Sequence, residues 1–165
     1  MRNFKVAILL ATLVTLNSCG YTMRGEINIP SNIEQISVTS NQYSDLVNIL
    51  NSYLINSDIK VINSLKKDLY RIIVISEQFN RRQLTIGISG RVNEYELIYD
   101  VVFEINKPNE KSSSEKITLY RDYSFDENNM MGNKDREDQL KEEMISTAAT
   151  LIFNKLVAKA NNKID

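Results

Sequence analysis

Histidine is absent from the 165 residues, and cysteine occurs once, at Cys19. Without histidine there is no Ser-His-Asp or Cys-His catalysis, and the usual zinc sites lose the ligands they depend on. Glycine is scarce as well. The five glycines, Gly20, Gly25, Gly87, Gly90 and Gly132, have neither phosphate-loop nor dinucleotide-loop spacing. An excess of either charge is also missing: the formal net charge is −1, which sets up no field for nucleic acid or for bulk anionic lipid. Any anion must be held by a local cluster, and no nucleic-acid partner is expected. Paired carboxylates do occur, at Glu94 with Glu96 and Glu142 with Glu143. They lie in strand and helix patterns where a solvated face accounts for them. An anchored hydrolase working with two acids would need them to converge in a cleft, and nothing in the sequence marks one. Composition therefore argues against an enzyme, and no cofactor or metal is expected.

Long apolar runs are lacking too. The stretch from Val6 to Leu16 carries no charge, but it is too short to cross a hydrocarbon core, which takes a helix of about 20 residues. Arg2 and Lys5 precede it, and Leu16-Asn17-Ser18-Cys19 closes it. A basic start, a short apolar middle and a small residue before the cut form a secretory signal. A cysteine just after the cut makes it a lipobox, the mark of a bacterial lipoprotein. Residues 1–18 are thus expected to be removed, leaving Cys19 as the first residue of the mature chain and the site of lipid attachment. A free thiol in an oxidising compartment would be a liability unless it is consumed in this way. The mature chain would keep 147 of the 165 residues, and losing Arg2 and Lys5 would take its charge from −1 to −3. That length suits a single domain, placed here at residues 32–165, with 19–31 as a lipidated tether.

Within the domain, Ile33, Ile36 and Val38 suggest a first strand. Leu46, Ile49, Leu50, Tyr53 and Leu54 recur at steps of three and four, with Ser44 or Asp45 placed to cap, and predict a helix ending near Asn56 or Ser57. Ile59, Val61 and Ile62 form a brief apolar patch. From Leu69 to Phe79 the consecutive Ile72, Ile73, Val74 and Ile75 read as a central strand covered on both faces, or as a strand that switches register. Arg81-Arg82 through Gly87 and Gly90 to Arg91 reads as the wide turn of a hairpin. The return strand alternates cleanly: Tyr95, Leu97, Tyr99, Val101, Phe103 and Ile105 on one face, with Glu94, Glu96, Asp100 and Glu104 between them. Ile98 and Val102 interrupt that polar face, which leaves room for a partner there. A further strand from Lys116 to Phe125 puts Ile117, Leu119, Tyr123 and Phe125 together. After a polar loop at 126–135, Leu140, Met144, Ala148, Ile152 and Leu156 step by four along a long helix, with Asp135, Glu137 and Asp138 near its positive end. The pattern is α+β, with helices packed against one sheet.

Cys19-Gly20-Tyr21-Thr22-Met23-Arg24-Gly25, Gly90-Arg91-Val92-Asn93-Glu94-Tyr95-Glu96-Leu97, Tyr120-Arg121-Asp122-Tyr123-Ser124-Phe125, and Lys134-Asp135 ahead of a Glu142-Glu143-Met144 helix together resemble the LptE family of lipopolysaccharide-assembly lipoproteins. The order and spacing of these segments over nearly the whole chain carry the resemblance. It implies an α/β sandwich with two helices on one side of a mainly four-stranded mixed sheet. It further implies a chain anchored in the Gram-negative outer membrane through acylated Cys19, with its domain inside the lumen of the β-barrel protein LptD, where the two place lipopolysaccharide in the outer leaflet. A binder of that phosphate-bearing lipid needs accessible cations, and arginine offers phosphate a planar fork. Arg81, Arg82 and Arg91 around the hairpin turn and Lys134 before the last helix are the candidates. The resemblance points most directly to Lys134-Asp135; it places Ile88 or Ser89 where the family has a basic residue, so Arg91 or Arg82 would act from a neighbouring position. The alternative is an anchored structural or interaction lipoprotein unrelated to lipopolysaccharide transport.

Overall fold

A computed structural model describes residues 33–161, apart from 65 and 112. The signal segment, Cys19 and the tether lie outside the described residues. The chain forms β1 (Gln35–Ser40), α1 (Asp45–Asn56), β2 (Lys60–Val61), β3 (Tyr70–Ile86), β4 (Val92–Asn106), β5 (Glu115–Ser124) and α2 (Met130–Asn161). The strands make one mixed sheet in the order β2-β1-β3-β4-β5. β1 runs parallel to β2 and β3, while β3, β4 and β5 are antiparallel neighbours. The α+β expectation holds, with five strands where four main ones were expected. The fifth is the two-residue β2, held to β1 by Lys60 N donating to Glu34 O and Ile62 N donating to Ile36 O.

Both helices pack on one face of the sheet. Leu46, Leu50 and Leu54 of α1 and Leu140, Met144, Ala148, Ile152 and Leu156 of α2 are buried together with Ile36, Ile72, Val74 and the odd-numbered residues of β4 from Leu97 to Ile105. Helical and strand periodicities therefore meet in one apolar layer. Tyr53 of α1 meets Phe153 of α2 edge to face at 6.4 Å, and its hydroxyl lies 3.0 Å from Ser146 Oγ.

The run of four branched residues in β3 resolves as a switch of register. Up to Val74 the even residues of β3 face the helices; a bulge between Val74 and Ser76 inserts Ile75, and beyond it Phe79 and Arg81 take that side. One extra residue reverses the sense of a strand whose side chains alternate. The reversal brings Glu77 inward, where it accepts hydrogen bonds from Tyr99 Oη at 2.6 Å and Ser44 Oγ at 2.5 Å. Ser44 also caps α1, its side chain accepting from Val47 N at 3.2 Å. Burial and the neighbouring Glu77 carboxylate push the Tyr99 phenol far up, so it stays a neutral donor. Phe79 stacks on Tyr99 with centroids 4.2 Å apart.

Two segments differ from expectation. Residues 81–86 are strand, not turn: β3 continues to Ile86, and the reversal is confined to 87–91, closed by Gly87 N donating to Arg91 O and Gly90 N donating to Gly87 O. The long ladder to β4 outweighs the arginine pair that suggested a loop. Gly90 has φ +79°, a conformation in which glycine is favoured. Helix α2 starts at Met130, not near Asp135, because Asn129 caps it by accepting from Gly132 N at 3.0 Å. Lys134 therefore sits in the helix, and Asp135, Glu137 and Asp138 lie past its first turn, where the helix dipole acts weakly.

Phe103→Ala, which opens a cavity under both helices, is expected to cost about 3–5 kcal/mol. Tyr120→Ala on the uncovered face of the sheet should cost under about 1 kcal/mol. Denaturant unfolding of the two variants checks which face is the core; equal losses would contradict the arrangement.

Candidate functional site

The reversed half of β3 presents Arg81 to α2. Its guanidinium lies 4.4 Å over the ring of Tyr95 on β4, a cation–π contact. Nη1 donates to Tyr123 Oη of β5 at 3.3 Å and to Glu137 Oε2 of α2 at 3.0 Å. Tyr123 Oη donates to the same Glu137 oxygen at 2.8 Å. Lys141, one helical turn on, reaches Glu137 Oε1 at 2.6 Å. Lys134 pairs with Asp138 Oδ2 at 2.7 Å. With Phe125, Met130 and Asn133 these side chains, Tyr95 apart, line a cleft of about 270 Å³. Its walls carry three cations, Arg81, Lys134 and Lys141, against the carboxylates Glu137 and Asp138.

The mouth of the cleft is tied to the hairpin. Phe125 N donates to Asn93 O at 2.7 Å, and Arg91 at the turn pairs with Glu127 in the segment leading to α2. Asn133 fixes that segment to the helix, accepting from Asp126 N at 3.0 Å and donating to Asp126 O at 2.6 Å. Hairpin end, β5–α2 connection and helix start are thus one hydrogen-bonded unit.

The four candidate cations divide accordingly. Arg81 and Lys134 share the cleft, and Arg91 stands beside it. Arg82 does not belong: it points to the uncovered face and pairs with Glu96 across the sheet at 2.5 Å. Arg81 and Arg82 are neighbours on one strand and so occupy opposite faces. Lys141 and the tyrosines Tyr95 and Tyr123 complete the site, and sequence reasoning did not single them out as ligands. The available signal for Lys141 was its spacing of seven from Lys134, which puts both on one helix face.

Every candidate cation has a carboxylate partner, so the site is electrostatically poised, not empty of counter-charge. The Lys134 side chain is nevertheless 75% exposed, and such surface pairs are worth little in water. An incoming anion can therefore share Lys134 at small cost. Asp138 holds the Lys134 ammonium above its ordinary value, so it remains charged. Burial alone would lift the Glu137 carboxyl, but Lys141, the Tyr123 hydroxyl and Arg81 outweigh it and hold it below its ordinary 4.5. The paired acids Glu94 and Glu96 are engaged by Thr85 and Arg82, and Glu142 and Glu143 are exposed on α2. Among the described residues no group of three or more His, Cys, Asp or Glu side chains could hold a metal ion, and no helix is long and apolar enough to cross a membrane.

The described residues form a two-layer α+β sandwich with a cation-bearing cleft where a long hairpin meets the start of a helix. Comparison with known proteins narrows that class. The model of the LptE lipopolysaccharide-assembly family matches residues 33–156, and the chain belongs to that family. It is 26% identical over 159 residues to the LPS-assembly lipoprotein LptE of Pectobacterium atrosepticum, covering 94% of this chain and 85% of the relative. It is 23% identical over 150 residues to the LptE of Yersinia enterocolitica, covering 90% of this chain and 72% of the relative. Among solved structures it resembles the rare lipoprotein B of Shewanella oneidensis, with a TM-score of 0.72 and 27% identity over 78% of this chain and 97% of the other.

Glu137→Gln tests the charge network. A carboxylate whose folded pKa is depressed contributes stability above its unfolded pKa and loses it as pH falls through the folded value. Parent and variant should differ by about 1 kcal/mol at pH 7, and the gap should close as the pH is lowered below 4.5. Thermal unfolding across pH checks this; a pH-independent gap would contradict it.

Proposed function

We propose that this chain acts in lipopolysaccharide assembly as an outer-membrane lipoprotein, anchored through an acylated Cys19 after loss of residues 1–18. In this reading it binds lipopolysaccharide and serves as plug and assembly partner of the β-barrel LptD. The observation that carries the reading is the convergence of Arg81, Lys134 and Lys141 on one accessible cleft in a chain of the LptE family. Phosphate oxygens match these donors: arginine gives a directional fork and lysine a mobile point charge. Arg91, at the hairpin turn beside the cleft, adds a fourth cation within the same hydrogen-bonded unit.

The uncovered sheet face supports the plug role. It presents Gln78, Arg82, Asp100, Lys116, Thr118 and Asp122, with Ile73, Ile98 and Val102 among them. Asp100 already accepts from Thr118 at 2.6 Å and pairs with Lys116 at 3.0 Å. A surface of short polar contacts broken by a few aliphatics suits a barrel lumen, which is polar because barrel strands turn alternate residues inward. Several acyl chains on Cys19 would give durable attachment where one chain gives only marginal binding.

Lys134→Asp and Arg81→Ala should each weaken binding of purified lipopolysaccharide by about tenfold, with the loss reduced as salt screens the contact. Arg82→Ala, on the opposite face, should leave affinity unchanged. Titration of labelled lipopolysaccharide at two ionic strengths checks this. Loss of affinity from Arg82→Ala with none from Lys134→Asp would refute the assignment of the cleft.

A further inference from the structure

The outer end of the β3–β4 hairpin carries apolar side chains that the fold does not use. Leu84, Ile86 and Ile88 are 40%, 60% and 111% exposed. β5 ends at Ser124, opposite Glu94, so the ribbon beyond that point has no third strand, and none of residues 84–93 is buried. Strand propensity accounts for an isoleucine at Ile86. It does not account for Ile88, which sits in the turn closed by Gly87 and Arg91. Single exposed aliphatics are ordinary, but several on one projecting tip mark a contact surface.

Charge defines what the tip meets. From Gln83 to Gly90 there is no charged residue, while Arg81 and Arg82 precede this stretch and Arg91 follows it. Across the Arg91–Glu127 pair, the start of α2 adds Met130 and Met131, 63% and 80% exposed. An uncharged aliphatic tip with cations at its base is the complement of an amphiphile whose hydrocarbon chains join a phosphate-bearing head.

We propose that this hairpin tip is an acyl-chain contact: Ile86 and Ile88 cover hydrocarbon of the same glycolipid whose phosphates lie against Arg81, Arg91 and Lys134. The inference rests on the glycolipid-binding reading and divides its ligand into two parts held by two groups of residues. Covering even part of an isoleucine side chain with hydrocarbon removes enough apolar surface from water to matter at the level of about tenfold in affinity.

The test uses two probes, intact lipopolysaccharide and its phosphorylated headgroup stripped of acyl chains, titrated against the purified parent and the double variant I86S/I88S. The parent should bind the intact lipid more tightly than the headgroup. The variant should bind the intact lipid about tenfold more weakly than the parent does and the headgroup equally well, and I86L/I88L should restore the parent's affinity. Unchanged circular dichroism excludes a folding defect, as expected for side chains outside the core. A variant that binds the intact lipid as tightly as the parent, or that loses the headgroup in equal measure, overturns the tip assignment while leaving the cleft in place. Full lipid affinity with loss of a co-purifying protein partner would give the tip to that partner and also overturn it. A parent that binds neither probe removes the glycolipid reading itself.

Discussion

The insertion of Ile75 into β3 is the constraint on which the rest of the molecule depends. A strand in a one-sided sheet must keep its apolar face toward the helices, and β3 does so with Ile72 and Val74. Without a bulge the same parity would continue, and Arg82 would face α2. The extra residue between Val74 and Ser76 exchanges the faces, so that Glu77, Phe79 and Arg81 look toward the helical side. Three consequences follow. Glu77 couples the N-cap of α1 to Tyr99, Phe79 stacks on Tyr99, and Arg81 reaches Glu137. Beyond the bulge the strand adds Phe79 to the edge of the core and then builds a polar site around Arg81.

That site shows how a modest charge balance can still favour anions locally. The chain as a whole is close to neutral, and each cation near the cleft already has a carboxylate. Glu137 is shared between Arg81, Tyr123 and Lys141, which holds the two cations in place before any ligand arrives. Preorganised donors bind with less loss of side-chain freedom than donors that must be gathered. Tyr95 supports Arg81 from below through its ring face, an arrangement that keeps the guanidinium edge available to acceptors. Lys134, whose pair with Asp138 is the most exposed of the three, can be shared with phosphate at small cost, whereas Arg81 and Lys141 stay in half-buried pairs on Glu137.

Much of this was legible in the sequence. The strict alternation from Tyr95 to Ile105 gave β4 and its buried face, and the step-of-four pattern from Leu140 to Leu156 gave α2 and its packing stripe. The run Ile72 to Ile75 contained the bulge as one of two readings. What escaped had physical causes. Arg81, Arg82, Gly87 and Gly90 imitate a loop, yet the ladder to β4 runs on through two register shifts as far as Ile86 opposite Val92. The start of α2 was obscured by Asn128, Asn129 and Gly132, residues common in turns, although Asn129 serves as a cap. Which of Arg81 and Arg82 faces the helix hung on a single inserted residue, and sequence alternation alone cannot decide that. Lys141 was hidden among the other charges of α2.

The most direct measurement is a pair of double-mutant cycles on folding stability, one joining Arg81→Ala with Glu137→Ala and the other joining Arg82→Ala with Glu137→Ala. With Ile75 bulged, Arg81 and Glu137 should show a coupling of about 0.5 kcal/mol, and Arg82 and Glu137 none. Coupling of Glu137 to Arg82 with none to Arg81 would mean that the strand keeps its parity through Ile75, and the account of the cleft would be wrong.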